Sequence, residues 1–164
     1  MRSTMEACWY LHAEPSAPAQ ARHKVLAQLQ RWYPGLGSDA ADGLLLVASE
    51  LVTNSVVHAG EGKITVTLRI EGRHAYLEVQ DGSTAEPRVR EPAEGQENGW
   101  GLFLVETLSS AWGSTPLHDG KKVWALMPLA EDLNQPPRLP LLGALARKVR
   151  SARPRLRFCL LTVA

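Results

Sequence analysis

The sequence has 164 residues, of which 45% are hydrophobic and 21% are charged, and it carries a formal net charge of +1. These values are typical of one soluble globular domain that is long enough to bury a sizeable core. The charge is uneven, because residues 1–130 contain 11 Lys and Arg against 15 Asp and Glu, whereas residues 131–164 contain 7 against 2. The main part of the chain therefore lacks the basic surface that direct nucleic-acid binding requires.

The two cysteines, Cys8 and Cys159, lie near opposite ends of the chain and show no metal-ligand spacing. Unpaired thiols of this kind are typical of a reducing compartment. The N-terminus has no apolar run of signal-peptide length, and no segment is long and apolar enough to span a bilayer. We therefore expect a cytoplasmic protein without an integral membrane segment.

The first part of the chain predicts one short strand and two helices. Cys8–Ala13 is a possible edge strand, and Ser16 is placed to cap a helix that runs to about Tyr33. The central helix, Asp42–Ala59, has one face of apolar and small residues. Three polar residues lie on its other side at a spacing of four: Glu50, Asn54 and His58.

The surroundings of this polar stripe decide how it is interpreted. Apolar residues flank it as well: Leu46, Val47 and Val57. A helix that is apolar nearly all round is usually buried, and a buried carboxylate without a partner is costly. Glu50 and Asn54 are therefore expected to face a polar cavity or a ligand. A wet helix edge, with its polar groups directed to water, is an equally open interpretation.

Alternating apolar residues predict two strands, Ile64–Ile70 and His74–Asp81, joined by a tight turn. The same alternation directs Asp81 inward, where a carboxylate is uncommon without a partner. The next segment, Gly82–Asn98, has no periodicity and is interpreted as a long flexible loop of the kind that forms lids or binding loops.

Two further elements complete the predicted fold: a helix over Leu102–Ala111 that opens at Gly99 and Gly101 and ends at Trp112-Gly113, and a strand over Lys121–Pro128 that follows a hairpin near Asp119-Gly120. Strands joined by tight hairpins form an antiparallel or mixed sheet, and helices then pack on one face. We predict an α+β two-layer sandwich over residues 9–130. Residues 131–164 form a basic tail, for which a short amphipathic helix, disorder and an added edge strand all stay open.

Three polar features converge on one place in such a sandwich. A glycine pair at a helix start lets backbone N–H groups approach a phosphate, and the helix dipole favours the anion. The oxygens of Glu50 and Asn54 suit Mg²⁺ that also binds phosphate oxygens. A buried Asp81 is a suitable acceptor for an exocyclic amine such as that of adenine. Each feature alone is weak, but their order and spacing together favour a nucleotide site.

Four segments of the sequence occur in the order found in a known superfamily: SELVTNSVVHA, VQDGS, NGWGLFLV and GKKVWALMP. They resemble the N-box, the two glycine boxes and the last strand of the ATP-binding domain shared by DNA gyrase, the heat-shock chaperone, histidine kinases and the mismatch-repair ATPase (GHKL). Within that superfamily the chain looks most like the small anti-sigma-factor serine/threonine kinases of Gram-positive bacteria. The resemblance implies ATP and Mg²⁺ as cofactors.

The resemblance also implies a role for each matching residue. Asn54 would bind Mg²⁺ and, through it, the phosphates, while Glu50 would be the general base that polarises a serine hydroxyl or a water. Asp81 would accept a hydrogen bond from adenine, and Gly99 and Gly101 would hold phosphates beneath the loop. Two more residues complete the candidate nucleotide-binding set: Leu102, which helical spacing also turns toward the core, and Lys121.

Two departures from the family pattern affect the adenine end of this site. The first glycine box usually contains a second glycine, whereas here Asp81 is followed by Gly82-Ser83-Thr84-Ala85. The last strand often opens with Gly-Thr, the threonine helping to hold adenine, whereas here Gly120 is followed by Lys121-Lys122. Either lysine reaches a phosphate, or both are exposed residues at a strand end, and the exposed position is favoured.

The resemblance implies an ATP- and Mg²⁺-dependent serine/threonine kinase that binds a sigma factor and phosphorylates a small anti-sigma-factor antagonist. It also implies a homodimer. The alternative is a non-enzymatic, nucleotide-gated module that binds a protein partner, and the altered first glycine box favours it.

Overall fold

The computed structural model describes residues 4–34, 38–89 and 100–129. Its elements, in chain order, are β1 (Thr4–His12), α1 (Ala17–Trp32), α2 (Ser38–Ala59), β2 (Lys63–Glu71), β3 (His74–Asp81), α3 (Trp100–Leu108), β4 (Ala111–Leu117) and β5 (Gly120–Pro128). The predicted tail over residues 131–164 lies outside the described residues, as do Gly99 and residues 90–98 of the predicted loop.

The five strands form one sheet in the order β1-β2-β3-β5-β4, and every neighbouring pair is antiparallel. After β3 the chain passes through α3, reaches the far edge of the sheet as β4, and returns between β3 and β4 as β5. This route places the start of β5 beside the end of β3, so that Asp81 pairs with Lys121. The predicted α+β two-layer sandwich is confirmed, with a wholly antiparallel sheet among the described residues.

The core lies between one face of the sheet and the helices. The four inward residues of β2 are fully buried: Ile64, Val66, Leu68 and Ile70. Three of them pair with inward residues of β3: Val66 with Val79, Leu68 with Leu77 and Ile70 with Ala75. From the helices, Val25 and Leu29 of α1 and Val52 of α2 close this layer. Burying each such side chain stabilises the fold by about 1.5–3 kcal/mol.

Two predicted boundaries and one predicted helix cap differ from the structure. The first strand begins at Thr4 rather than Cys8, because its whole length pairs with β2. The third helix ends at Leu108 rather than Ala111, since the chain from Ala111 onward pairs with β5 as β4. Ser16 precedes α1 but makes no side-chain capping hydrogen bond, and its hydroxyl instead accepts a hydrogen bond from Gln20 Nε2 at 2.9 Å.

The central helix α2 is less completely covered than its apolar sequence predicts. Val47, Ala48 and Leu51 are buried, but Leu46 is 39% exposed and Val57 is 66% exposed. The expectation of burial on nearly all sides is therefore wrong for this part of the helix. The polar stripe lies at the edge between the buried face and the solvent.

The outer face of the sheet carries polar and aromatic residues instead of helices. Tyr76 stacks on Trp124 with ring centroids 5.9 Å apart. Arg69 pairs with Glu6, with 2.7 Å between Nε and Oε2. No helix among the described residues is both long enough and apolar enough to cross a membrane.

Candidate functional site

The start of α3 lies directly against the polar stripe of α2. A Cβ atom built on Gly101 would lie 2.6 Å from Glu50 Oε2 and 3.7 Å from Asn54 Nδ2. Real Cβ atoms do not approach an oxygen as closely as 2.6 Å, so a side chain at Gly101 would displace the Glu50 carboxylate. The structure therefore brings together three residues that the sequence placed in two distant segments.

Asn54 holds a polar atom that the fold leaves without a partner. Its Nδ2 atom is buried and makes no hydrogen bond. Because the two ends of an amide are assigned from their partners, the same position suits the amide oxygen. A buried polar atom without a partner costs about 1–3 kcal/mol, so a ligand that pairs with it would recover that energy.

The donor set suits a magnesium ion that is shared with phosphates. The described residues contain no group of three or more His, Cys, Asp or Glu side chains arranged to hold a metal. A single amide oxygen is a weak site alone, but Mg²⁺ commonly takes one or two protein oxygens and completes its shell with phosphate oxygens and water. Asn54, beside the helix start at Gly101, fits that arrangement.

The electrostatic surroundings of Glu50 suit a proton acceptor. Burial raises the pKa of its carboxyl group above the ordinary value of 4.5, and the positive charge of Arg22 opposes part of this rise. Arg22 extends from α1, where its Nη1 atom donates a 2.7 Å hydrogen bond to the hydroxyl of Ser49. A carboxylate with a raised pKa holds a proton more readily than a free one, as a general base requires.

Asp81 ends β3 with its side chain buried, as the alternation of the strand predicts. Its Oδ2 atom accepts a 2.6 Å hydrogen bond from the hydroxyl of Ser55, one residue after Asn54 on α2. Its Oδ1 atom accepts a 2.8 Å hydrogen bond from the backbone N–H of Ser83. Asp81 thus joins the helix, the strand and the beginning of the loop.

Lys121 is the remaining neighbour of Asp81. The prediction that this lysine is exposed at a strand end is wrong. The residue is buried, and its Nζ atom lies 2.8 Å from Asp81 Oδ1. The preceding Gly120 has φ +144° and passes so close to the Asp81 carbonyl oxygen that any side chain there would collide with it. Lys122 points to the other face, where it pairs with Glu78 at 3.2 Å.

The remaining predicted residues divide into two groups. Leu102 is buried and belongs to the hydrophobic core. Gly99 lies outside the described residues, so its predicted role stays a prediction. Its neighbour Trp100 begins α3 with an exposed indole, which meets Phe103 edge to face with centroids 5.8 Å apart.

Sequence reasoning missed several residues that support the site. Ser55 had one recognisable signal, since a hydroxyl on the apolar face of a helix needs a buried acceptor. Ser49 and Arg22 had none, because their contact joins two different helices.

The helices thus lie on one face of an antiparallel sheet, and an acid and an amide of the central helix lie against a glycine at a helix start. The chain belongs to the histidine kinase-like ATPase domain family, whose sequence profile matches residues 11–126. The resemblance of the sequence to the GHKL ATP-binding domain is thereby confirmed.

The fold is similar to that in the crystal structure of the RsbU and RsbW domains of Rv1364c from Mycobacterium tuberculosis. The two share 18% sequence identity at a TM-score of 0.59, over 78% of this chain and 33% of that chain. This likeness shows the fold alone, and the match spans about a third of the length of the chain in that crystal structure. Among curated proteins, no match to the chain was found.

Proposed function

We propose that the protein is an ATP- and Mg²⁺-binding regulator of the anti-sigma-factor type. It would bind a sigma factor and, as a serine/threonine kinase, phosphorylate a small anti-sigma-factor antagonist. Both activities would belong to the domain at residues 9–130, and the protein would be a homodimer. The observation that carries this proposal is the close approach of Glu50 and Asn54 to Gly101. The four sequence motifs and the similarity to a chain with an RsbW domain support the same type of protein.

Each residue of the site has a defined task in this reaction. Asn54 would hold Mg²⁺ together with phosphate oxygens, and the ion, when bound, neutralises charge on those oxygens. Glu50 would accept the proton of the serine hydroxyl as the serine oxygen bonds to the γ-phosphorus of ATP and the bond from that phosphorus to ADP breaks, releasing ADP. Gly101 leaves room for backbone N–H groups at the start of α3 to approach a phosphate.

The proposal is tested by calorimetric binding of Mg²⁺-ATP to the wild type and to Asn54→Ala. We expect measurable binding by the wild type that depends on Mg²⁺, and at least a tenfold loss in the variant. Equal binding by both proteins would remove Asn54 from the site. Thr53→Ala, one residue earlier on the same helix, is the matched control and should bind as the wild type does.

The second candidate is a nucleotide-gated module that binds a partner without phosphorylating it. The altered first glycine box favours this candidate, because Asp81 is followed by Gly82-Ser83-Thr84-Ala85 and the second glycine is missing. The two candidates differ in their product. Phosphoserine on a protein that co-purifies with this chain, formed only when ATP is added, supports the kinase and contradicts the module.

A further inference from the structure

The Asp81 carboxylate is already engaged by groups of the protein itself. Lys121 Nζ lies 2.8 Å from Oδ1, with the Lys121 side chain 8% exposed and that of Asp81 1% exposed. Hydrogen bonds from Ser55 Oγ and from the Ser83 N–H reach the same carboxylate. Since a carboxylate has about four lone-pair positions, three of them are taken without any ligand.

We infer that Lys121 occupies the place at Asp81 that the exocyclic amine of an adenine nucleotide needs, so that the lysine must leave before the base is fully bound. This inference rests on the proposed nucleotide site. An ammonium group and an exocyclic amine are both N–H donors directed at the same acceptor. The ammonium is the stronger competitor, because hydrogen bonds between charged partners exceed those of neutral donors.

The backbone fixes Lys121 in this position. Gly120 lies against the Asp81 carbonyl oxygen, and the strand register then sets Lys121 opposite Asp81. Lys122 carries the same charge and lies on the same strand, but its side chain faces outward and pairs with Glu78. Lys122 therefore serves as a matched control for substitutions of Lys121.

A cleft beside Lys121 gives its side chain room to move. The cleft lies between the beginning of the loop and the edge strand β4, and its lining includes Glu86, Ser114 and Pro116. Glu86 is exposed, and its carboxylate lines the same cleft as Lys121. Lys121 Nζ is also 3.4 Å from the Ser83 carbonyl oxygen, so its departure from Asp81 removes a contact with the loop as well.

The test compares the affinities of Lys121→Val, Lys122→Val and the wild type for Mg²⁺-ATP by calorimetry. Valine suits a strand, removes the ammonium group from Asp81 and adds no side-chain group that could hydrogen-bond to adenine. We expect Lys121→Val to bind ATP at least tenfold more tightly than the wild type, and Lys122→Val to bind within twofold of it. Inorganic triphosphate, which lacks the base, should show no such gain with Lys121→Val.

The outcomes separate this inference from the proposed function. Tighter binding by Lys121→Val supports the inference even when the wild type binds no ATP, a result that would remove the proposed kinase activity. Equal or weaker binding overturns the inference and leaves that activity intact. Failure of both proteins to bind also overturns it, because Lys121 would then not be what excludes the base.

A second measurement on the wild type covers the case in which Lys121→Val does not fold. Amine acetylation followed by mass spectrometry should modify Lys121 much more slowly than the exposed Lys63 in the free protein. Saturating ATP should increase the modification of Lys121 at least threefold and leave Lys63 unchanged. Modification of Lys121 that ATP does not increase overturns the inference.

Discussion

The carboxyl group of Glu50 lies where burial disfavours its ionised form and raises its pKa. A general base acts only when deprotonated, so phosphotransfer should increase with pH through that raised pKa. Glu50→Gln should lower the rate at least ~100-fold and abolish this pH dependence while Mg²⁺-ATP binding persists. Measuring the phosphotransfer rate on the acidic side of the pH–rate profile checks both expectations. Glu61→Gln, at an exposed residue, is the control. A Glu50→Gln variant with the normal rate would remove Glu50 as the base.

A substitution at Gly101 tests whether the absence of a side chain at the start of α3 is needed for activity or for folding. Alanine there favours a helix over glycine, by about 1 kcal/mol in a helix interior, so Gly101→Ala should fold normally. Its methyl group would nevertheless displace the Glu50 carboxylate. We expect at least a ~100-fold loss of phosphotransfer, as for loss of a general base, with a thermal midpoint no lower than that of the wild type. Unaltered activity would show that the contact is not required.

At the scale of elements, the β4–β5 hairpin depends on one glycine. Gly120→Ala would place a methyl group against the Asp81 carbonyl oxygen, on a backbone with φ +144°. We expect the free energy of unfolding to fall by about 1–3 kcal/mol, measured by urea denaturation. Gly62→Ala is the control, since a Cβ there meets nothing within 4 Å. Equal losses in both variants would contradict this explanation.

The elements differ in how well the sequence predicts them. The alternation of β2 and β3 predicts both strands to within one residue at each end, because each strand has one buried face. The strand β4 reads Ala-Trp-Gly-Ser-Thr-Pro-Leu, with no apolar alternation and a proline inside. This segment is a strand because it pairs with β5 at the edge of the sheet, and the local sequence does not predict that pairing.

At the scale of the whole molecule, Glu50 links pH to folding stability. A raised pKa in the folded state means that the folded protein binds this proton more tightly than the unfolded chain. The stability that Glu50 contributes is therefore full below the unfolded pKa and is lost as the pH rises through the folded pKa. Glu50→Gln should have a higher thermal midpoint than the wild type at neutral pH and the same midpoint in acid. A lower midpoint at neutral pH would contradict this.

The candidate site also shows where sequence reasoning ends. The inward direction of Asp81 follows from strand alternation, and its need for a partner follows from burial. The identity of that partner could not be predicted, because a lysine is usually found at the surface. Only the strand register of the folded protein shows that Lys121 lies opposite Asp81. The meeting of Glu50 with Gly101 likewise depends on how α2 and α3 pack, which no local pattern records.

Trp100, at the first position of α3, gives the protein a built-in optical reporter. Its indole is exposed, and it directly precedes the glycine that faces Glu50. Indole emission follows the polarity of its surroundings, so an anion arriving at this helix start should change the fluorescence of the unlabelled protein. Trp124 stacks on Tyr76 on the opposite face of the sheet and should stay constant. Rapid-mixing fluorescence of the wild type and Trp100→Phe would then give the residence time of a bound nucleotide.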